Sequence, residues 1–224
     1  TAKGQAIVNF LQLEQDEHVQ SVLPMGQQGC DFITIVTKNG MIKKSTQEVY
    51  GNVRKGGIIA INLKDGDELV HVICTNKDDD VFLFTKLGKA IRFEQDEIRA
   101  MGRTAGGVKA MSLKDGDQIM GMAGIKKGDE DGWLLIATEK GYGKKSKLHH
   151  YKVQRRGGSG VKVSKVTTKT GAVVGARVVN KESKDMIAIS QKGNIIKVDI
   201  KKDVPTLGRD TQGVKLMRVA KGDE

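Results

Sequence analysis

Two arginines beside a glycine-rich turn are the residues of this chain best suited to bind an anion. They lie in the run Gln154, Arg155, Arg156, Gly157, Gly158, Ser159 and Gly160, which we call the box loop. Guanidinium groups bind phosphate through paired hydrogen bonds, and glycines let a backbone with free N–H groups approach closely. Taken alone, such a run is as typical of a flexible turn as of a binding site. Its place in the rest of the sequence therefore decides the interpretation.

The box loop belongs to a unit that repeats along the chain. Its last glycine is one of five anchor glycines, spaced 50 to 53 residues apart: Gly4, Gly57, Gly107, Gly160 and Gly213. A second series, the hairpin glycines, each follows a short apolar stretch ending in Thr or Ser: Gly40, Gly88, Gly141 and Gly193. Self-similarity at such a period indicates a repeat architecture.

Cations recur at fixed distances from these glycines, and we predict that they form a row of positive charge that contacts the partner. Four residues after the hairpin glycines stand Lys44, Arg92, Lys145 and Lys197, with Lys144 beside the third. Four residues before the anchor glycines stand Arg103, Arg156 and Arg209, and two residues after them Lys109, Lys162 and Lys215. In the Gly57 copy, Arg54 and Lys55 take the corresponding place. The alternative is that these cations only protect strand edges from aggregation.

The fold class predicted from these patterns is all-β. Short β-branched runs bounded by Gly, Asp, Asn or Lys give about four strands in each period of about fifty residues, which is the content of one blade of a radial array. The chain would then hold about four to five four-stranded blades in a single domain over residues 1–224, truncated at both ends. Short helical turns are expected at 46–50 and 95–101. An open solenoid is the competing architecture.

The composition indicates which kind of partner the chain is expected to bind. A net charge of +11 and a pI near 9.6 favour an acidic partner, nucleic acid before a membrane surface. Aromatic residues make up only 4% of the chain, with Phe93 and Tyr142 alone among the cations, whereas single-strand binders stack bases on aromatic rings. Duplex DNA, held by its phosphates and bent, is therefore the expected partner. An acidic series that includes Asp16, Asp67, Asp117 and Asp223 is expected on the opposite side.

Other functions find no support in the sequence. It offers neither a nucleophile with a base nor a paired carboxylate, so we expect no catalytic residues. We also expect no metal site and no cofactor, and reduced thiols at Cys30 and Cys74. With neither a signal peptide nor a stretch long enough to span a membrane, a cytoplasmic location is predicted.

At this point the residues resemble a known family. The box loop is similar to QRRGGKG, the seven-residue box in the C-terminal domain of the DNA gyrase A subunit, and the resemblance extends over most of the chain through IVNFLQLEQDE, LKDGDEL, GKAIRF and GRDTQGVKLMR. It implies a β-pinwheel, a propeller-like disc whose blades exchange strands and whose basic rim wraps duplex DNA. It also implies two partners, the rest of the gyrase A polypeptide and the gyrase B polypeptide. Together they form a nucleoid-associated, ATP-dependent type IIA topoisomerase that introduces negative supercoils.

The sequence departs from that family in two places. Ser159 replaces the lysine of the box, and the box lies in a late repeat rather than in the first blade, so the sequence leaves open whether another box lies upstream. The A subunit of topoisomerase IV has a similar domain with degraded boxes, and the complete box favours gyrase over it. A propeller-like module that binds an acidic protein is the alternative from another functional class.

Overall fold

The computed structural model describes residues 9, 11, 13–14, 17–24, 30–52, 56–220 and 222–223. These residues contain no α-helix, and their strands are β1 (Phe32–Thr37), β2 (Met41–Thr46), β3 (Leu69–Thr75), β4 (Asp80–Thr85), β5 (Lys89–Glu94), β6 (Val108–Lys109), β7 (Ile119–Ile125), β8 (Trp133–Thr138), β9 (Tyr142–Lys147), β10 (Val161–Lys162), β11 (Val173–Val179), β12 (Asp185–Ile189), β13 (Ile195–Asp199) and β14 (Val214–Lys215). Short 3-10 helices span Gln47–Tyr50, Gln95–Glu97 and Leu148–His150. The first two confirm the helical turns expected from the sequence. Within the described ranges, no helix is long and apolar enough to cross a membrane.

Four hairpins carry the repeat, and each turns at a hairpin glycine. Strands β1 and β2, β4 and β5, β8 and β9, and β12 and β13 pair antiparallel. The four glycines have φ between 73° and 84°, a left-handed conformation that residues with a side chain rarely adopt. The structure thus gives these four glycines a role at hairpin turns, which the repeat alone did not assign to them.

The sheets are assembled by exchange of strands between repeats. Three sheets are four-stranded, in the orders β3-β1-β2-β6, β10-β5-β4-β7 and β11-β8-β9-β14, and β12 with β13 forms a two-stranded sheet. Strands β6, β10 and β14, which we call the exchanged strands, each follow the hairpin of the next repeat but add to the sheet of the preceding one. This is the all-β pinwheel arrangement that the resemblance implied.

The core lies between successive sheets rather than inside any one of them. One cluster joins the first two blades through residues such as Val36, Leu83 and Phe93, and a second joins the next pair through Phe82 and Tyr151. A third, smaller cluster lies between the third and fourth sheets. Because β1 and β4 are covered on both faces, they read as largely apolar runs instead of alternating ones.

The acidic series has a structural role that the sequence did not reveal. Asp67 accepts hydrogen bonds from Thr37 Oγ1 at 2.6 Å and from the Asn39 N–H at 2.9 Å, on the first hairpin turn. Asp117 and Asp223 hold the second and fourth turns in the same way. The expectation of a separate acidic surface was therefore wrong for these residues, since their carboxylates are partners of the hairpins. Asp16, from the same series, lies outside the described residues.

The cysteines also differ from expectation. Cys30 and Cys74 are joined by a disulfide, with their Cα atoms 5.4 Å apart, a separation usual for such a bond. Cys74 lies on β3 opposite Ile33 of β1, and Cys30 precedes that strand by two residues, so the sheet register brings the two cysteines together. The prediction of two reduced thiols is corrected accordingly.

Candidate nucleic-acid interface

Three equivalent loops lead into the exchanged strands at the outer edge of the sheets. They are 102–106, the box loop, and 208–212, and each meets an anchor glycine at positive φ, namely Gly107, Gly160 and Gly213. A Cβ atom added to any of the three glycines would lie 2.2 to 2.5 Å from a carbonyl oxygen of the neighbouring hairpin strand. Only glycine allows this approach, which explains these three members of the anchor series.

In two of these loops, a buried lysine donates hydrogen bonds to backbone carbonyl oxygens, and we call them the lysine-held loops. Lys144 Nζ donates to the carbonyl oxygens of Gly208 and Arg209, both at 2.7 Å, and to Thr211 Oγ1 at 3.2 Å. Lys43 Nζ likewise donates to the carbonyls of Gly102 and Arg103.

Both lysine side chains are almost fully enclosed. Burial lowers the pKa of Lys43 and of Lys144 to about 8, with a further lowering from Arg103 at Lys43 and from Arg209 at Lys144. At neutral pH each amine therefore holds its loop as a desolvated cation.

The box loop has no such lysine beneath it. The equivalent position on β5 is Ile91, which is 1% exposed and packs in the core, and its Cδ1 atom lies 3.6 Å from where a Cβ of Gly158 would stand. Where the lysine-held loops have Gly102 and Gly208, the box loop has Arg155, whose side chain is exposed. The residue beneath the box loop is therefore apolar, and the exposed charge of the loop is that of Arg155.

Backbone contacts fix the shape of the box loop. The Gln154 N–H donates to the Arg92 carbonyl and the Gly157 N–H to the Ala110 carbonyl, both at 2.7 Å. The Arg156 N–H donates to Glu97 Oε2 at 2.9 Å. The N–H groups of Arg155, Gly158 and Ser159, in contrast, donate no hydrogen bond to the described residues. The loop thus combines a fixed shape with three backbone N–H groups that donate to no described residue and with an exposed Arg155.

The arginine series contributes to packing between repeats as well as to charge. Arg156 Nη1 donates to the Lys109 carbonyl at 2.5 Å, and Arg103 Nη1 donates to the Ile59 carbonyl. Arg156 Nε is buried without a hydrogen-bond partner in the described part of the chain. Arg209 is half-buried. Each of these arginines keeps only part of its guanidinium available to a ligand.

The lysines that follow the anchor glycines are the most regular exposed cations. Lys109, Lys162 and Lys215 are the second residues of β6, β10 and β14. All three are exposed, and Lys215 Nζ lies 5.3 Å from the centre of the Tyr142 ring. Strand β7 contacts both β3 and β11, and these three strands are the opposite edges of the sheets, so the exchanged strands, with their lysines, form the perimeter.

The cations that follow the hairpin glycines do not form the exposed row that was expected. Lys44 Nζ donates to Gln95 Oε1 at 2.7 Å, Arg92 pairs with Asp80 at 2.6 Å, and Lys145 Nζ donates to the Ile200 carbonyl at 2.5 Å. These three side chains, and Lys144 beside them, are buried. Lys197 is 69% exposed and pairs with Asp185 at 2.9 Å. Arg54 and Lys55 lie outside the described residues.

Sequence reasoning missed the role of Lys43 altogether. It stands three residues after Gly40, as Lys144 does after Gly141, and Ile91 occupies that place after Gly88. This contrast within the repeat was a usable signal, because among these three sheets an apolar residue replaces lysine only in the one that receives the box loop.

Comparison with known proteins agrees with this geometry. The family described as "DNA gyrase C-terminal domain, beta-propeller" matches residues 31–76, 79–126, 132–180 and 184–224, one match for each hairpin. The chain belongs to this family. It is 42% identical over 229 residues to the DNA gyrase A subunit of Deinococcus deserti, covering 99% of this chain and 28% of that protein. It is 37% identical over 235 residues to that of Klebsiella oxytoca, covering 99% and 25%.

Solved structures show the same fold. The structure of a DNA gyrase A C-terminal domain superimposes with a TM-score of 0.87 at 26% identity, covering 98% of this chain and 72% of that one. A C-terminal domain of DNA topoisomerase IV gives 0.86 at 28% identity, covering 96% and 66%. The chain spans about a quarter of the length of the curated relatives that it matches. It is therefore homologous to the C-terminal part of the gyrase A polypeptide, which belongs to a type IIA topoisomerase.

Proposed function

We propose that this domain binds, bends and wraps duplex DNA, with the box loop as its main grip. The observation that carries the proposal is the combination of an exposed Arg155 with the free N–H groups of Gly158 and Ser159 on a loop of fixed shape. A phosphate oxygen can accept from the guanidinium and from backbone amides at once. The contact needs no base edge, so it suits a protein that follows the backbone.

The other proposed DNA contacts, which we call the track, are cations at the perimeter of the sheets. Lys109, Lys162 and Lys215 recur at the same place in three successive blades, and Arg103, Arg156 and Arg209 lie close to them in sequence. A duplex that follows a convex row of cations must bend, and the phosphate contacts offset the cost of bending. Lys197 can join the track where its pair with Asp185 opens. This contact surface does not include Lys44, Arg92, Lys144 and Lys145, because their side chains are buried inside the protein.

Within the holoenzyme the domain would act without catalytic residues of its own. Wrapping a segment of duplex at the perimeter would present DNA to the rest of the gyrase A polypeptide and to gyrase B, and so support ATP-dependent negative supercoiling in the cytoplasm. The C-terminal domain of topoisomerase IV is the second candidate, favoured by its TM-score of 0.86. The complete box loop favours gyrase.

Binding to duplexes of increasing length tests this function. If wrapping occurs, affinity rises steeply once the duplex is long enough to follow the perimeter, and with about six to ten phosphates engaged it falls roughly a thousandfold or more between low and moderate salt. A module for acidic proteins would bind DNA weakly and without a length threshold. Affinity that is independent of duplex length would overturn the proposal.

A further inference from the structure

The blade that receives the box loop has a carboxylate where the two blades that receive the lysine-held loops have none. Nine residues after its hairpin glycine stands Glu97, and the equivalent residues of the other two blades are Val49 and His150. Glu97 Oε2 accepts a hydrogen bond from the Arg156 N–H at 2.9 Å. One side chain of the second blade therefore holds the backbone of the box loop.

The two kinds of loop are anchored through opposite backbone groups. Lys43 and Lys144 donate to carbonyl oxygens of the lysine-held loops. The N–H groups of Arg103 and Arg209 donate no hydrogen bond to the described residues. In the box loop the backbone is the donor, and a carboxylate accepts. Because hydrogen bonds to ionised groups are among the stronger ones in proteins, Glu97 can take the place of the lysine that this loop lacks.

Glu97 itself stands on a fixed support. It ends the short helix Gln95–Glu97, and both Gln95 and Ile98 are fully buried. Gln95 Oε1 accepts from Lys44 Nζ at 2.7 Å, which ties the helix to the first blade. A side chain that stands on a fixed element holds its partner more precisely than one on a loop. The place of the Glu97 carboxylate is thus set by the first two blades and not by the box loop.

The charge and the hydrogen bond of Glu97 have opposite effects on the binding of a phosphate. A negative charge beside Arg155 and Arg156 weakens the attraction of this loop for an anion. Among the described residues, Glu97 forms no ion pair with either arginine, and it is half-buried. Its hydrogen bond, in contrast, fixes the loop. Because the two effects differ in sign, substitutions can separate them.

We propose that Glu97 is the positioning residue of the box loop. Its carboxylate holds the Arg156 N–H in place, so that the exposed arginine and the free N–H groups of this loop can bind the same phosphate. The inference rests on the proposed function of the box loop as a grip on duplex DNA, and it assigns to Glu97 no contact with DNA. Without the hydrogen bond the loop samples other conformations, and binding must then offset the cost of ordering it.

Two substitutions at Glu97 and one control separate position from charge. Glu97→Gln keeps an oxygen that can accept from the Arg156 N–H but removes the charge, whereas Glu97→Val removes both. His150→Val makes the matched change in the third blade, where Lys144 holds the loop. In the protein without DNA, we expect hydrogen exchange at the Arg156 N–H to be faster in Glu97→Val, on the order of tenfold or more. Glu97→Gln and His150→Val should exchange at that amide like the unmodified protein.

Affinity for duplex DNA is then measured over a range of salt concentrations. We expect Glu97→Val to bind on the order of tenfold more weakly, with a salt dependence that is shallower by about one phosphate contact. Glu97→Gln should bind at least as tightly as the unmodified protein and keep its salt dependence, and His150→Val should match the unmodified protein. A merely structural role would lower the free energy of unfolding in Glu97→Val and leave the salt dependence unchanged.

The proposal is overturned if Glu97→Val leaves exchange at the Arg156 N–H unchanged, or if Glu97→Gln exchanges as fast as Glu97→Val. It is also overturned if both substitutions strengthen DNA binding alike, which a purely electrostatic effect would produce, or if Glu97→Val binds DNA normally while Arg155→Ala/Arg156→Ala does not. Failure of the proposed function gives a different result, because Arg155→Ala/Arg156→Ala would then bind DNA normally as well. Hydrogen exchange would still decide whether Glu97 holds the loop.

Discussion

The box loop and the lysine-held loops occupy the same place in successive blades but are stabilised in opposite ways. Lys144 and Lys43 bind the carbonyl oxygens of their loops from within, whereas Ile91 offers the box loop only an apolar floor. At the position where the lysine-held loops have glycine, the box loop has Arg155. A buried cation that binds the protein backbone is not available to a ligand. Equivalent loops of a repeat can therefore differ: one blade has a buried cation that stabilises the fold, and another has an exposed cation that can bind a ligand.

The largest expected effect that tests this comparison is a loss of folding stability when a buried lysine is replaced. We expect Lys144→Met to lower the free energy of unfolding by about 1–3 kcal/mol, because the carbonyls of Gly208 and Arg209 lose their donor. The matched control is Ile91→Met, which places the same residue under the box loop and should cost less than about 1.5 kcal/mol. Urea denaturation of the two variants measures both values. Equal losses at the two positions would mean that the lysine does not hold its loop.

A smaller effect should appear in the pH dependence of stability. Burial lowers the pKa of Lys144 from 10.5 to about 8, so between these values the unfolded chain binds more protons than the folded one. Stability contributed at this site therefore rises with pH through that window. Urea midpoints measured on either side of pH 8 should rise more in the unmodified chain than in Lys144→Met. Parallel pH profiles for the two proteins would contradict the lowered pKa.

Much of the fold could be predicted from the sequence because its signals are local. Gly40 and its counterparts need positive φ at hairpin turns, and Gly107 and its counterparts mark close backbone approaches, so the repeat follows from the spacing of glycines. The all-β class and the blades follow from the short β-branched runs between those glycines.

The placement of cations could not be predicted in the same way, because burial here depends on neighbouring blades. Lys44 and Arg92 lie on strands covered on both faces, and their partners Gln95 and Asp80 are contacts of the folded sheet, not of the repeat pattern. Arg155 could be singled out from the sequence, and so could the contrast between Ile91 and the lysines at its equivalent positions, but the hydrogen bonds from those lysines to the loop carbonyls depend on the folded structure.

DNA bending by two double variants tests the central claim most directly. One removes Arg155 and Arg156 from the box loop, and the other removes Arg103 and Arg209, the two equivalents of Arg156, from the lysine-held loops, so each protein loses two positive charges from the perimeter. In a circularisation assay at moderate salt, with folding checked by denaturation, we expect the Arg155→Ala/Arg156→Ala protein to lose most of its bending and the Arg103→Ala/Arg209→Ala protein to keep most of it. Equal loss in both, or unchanged bending without the box arginines, would contradict the assignment of the box loop as the main grip on DNA.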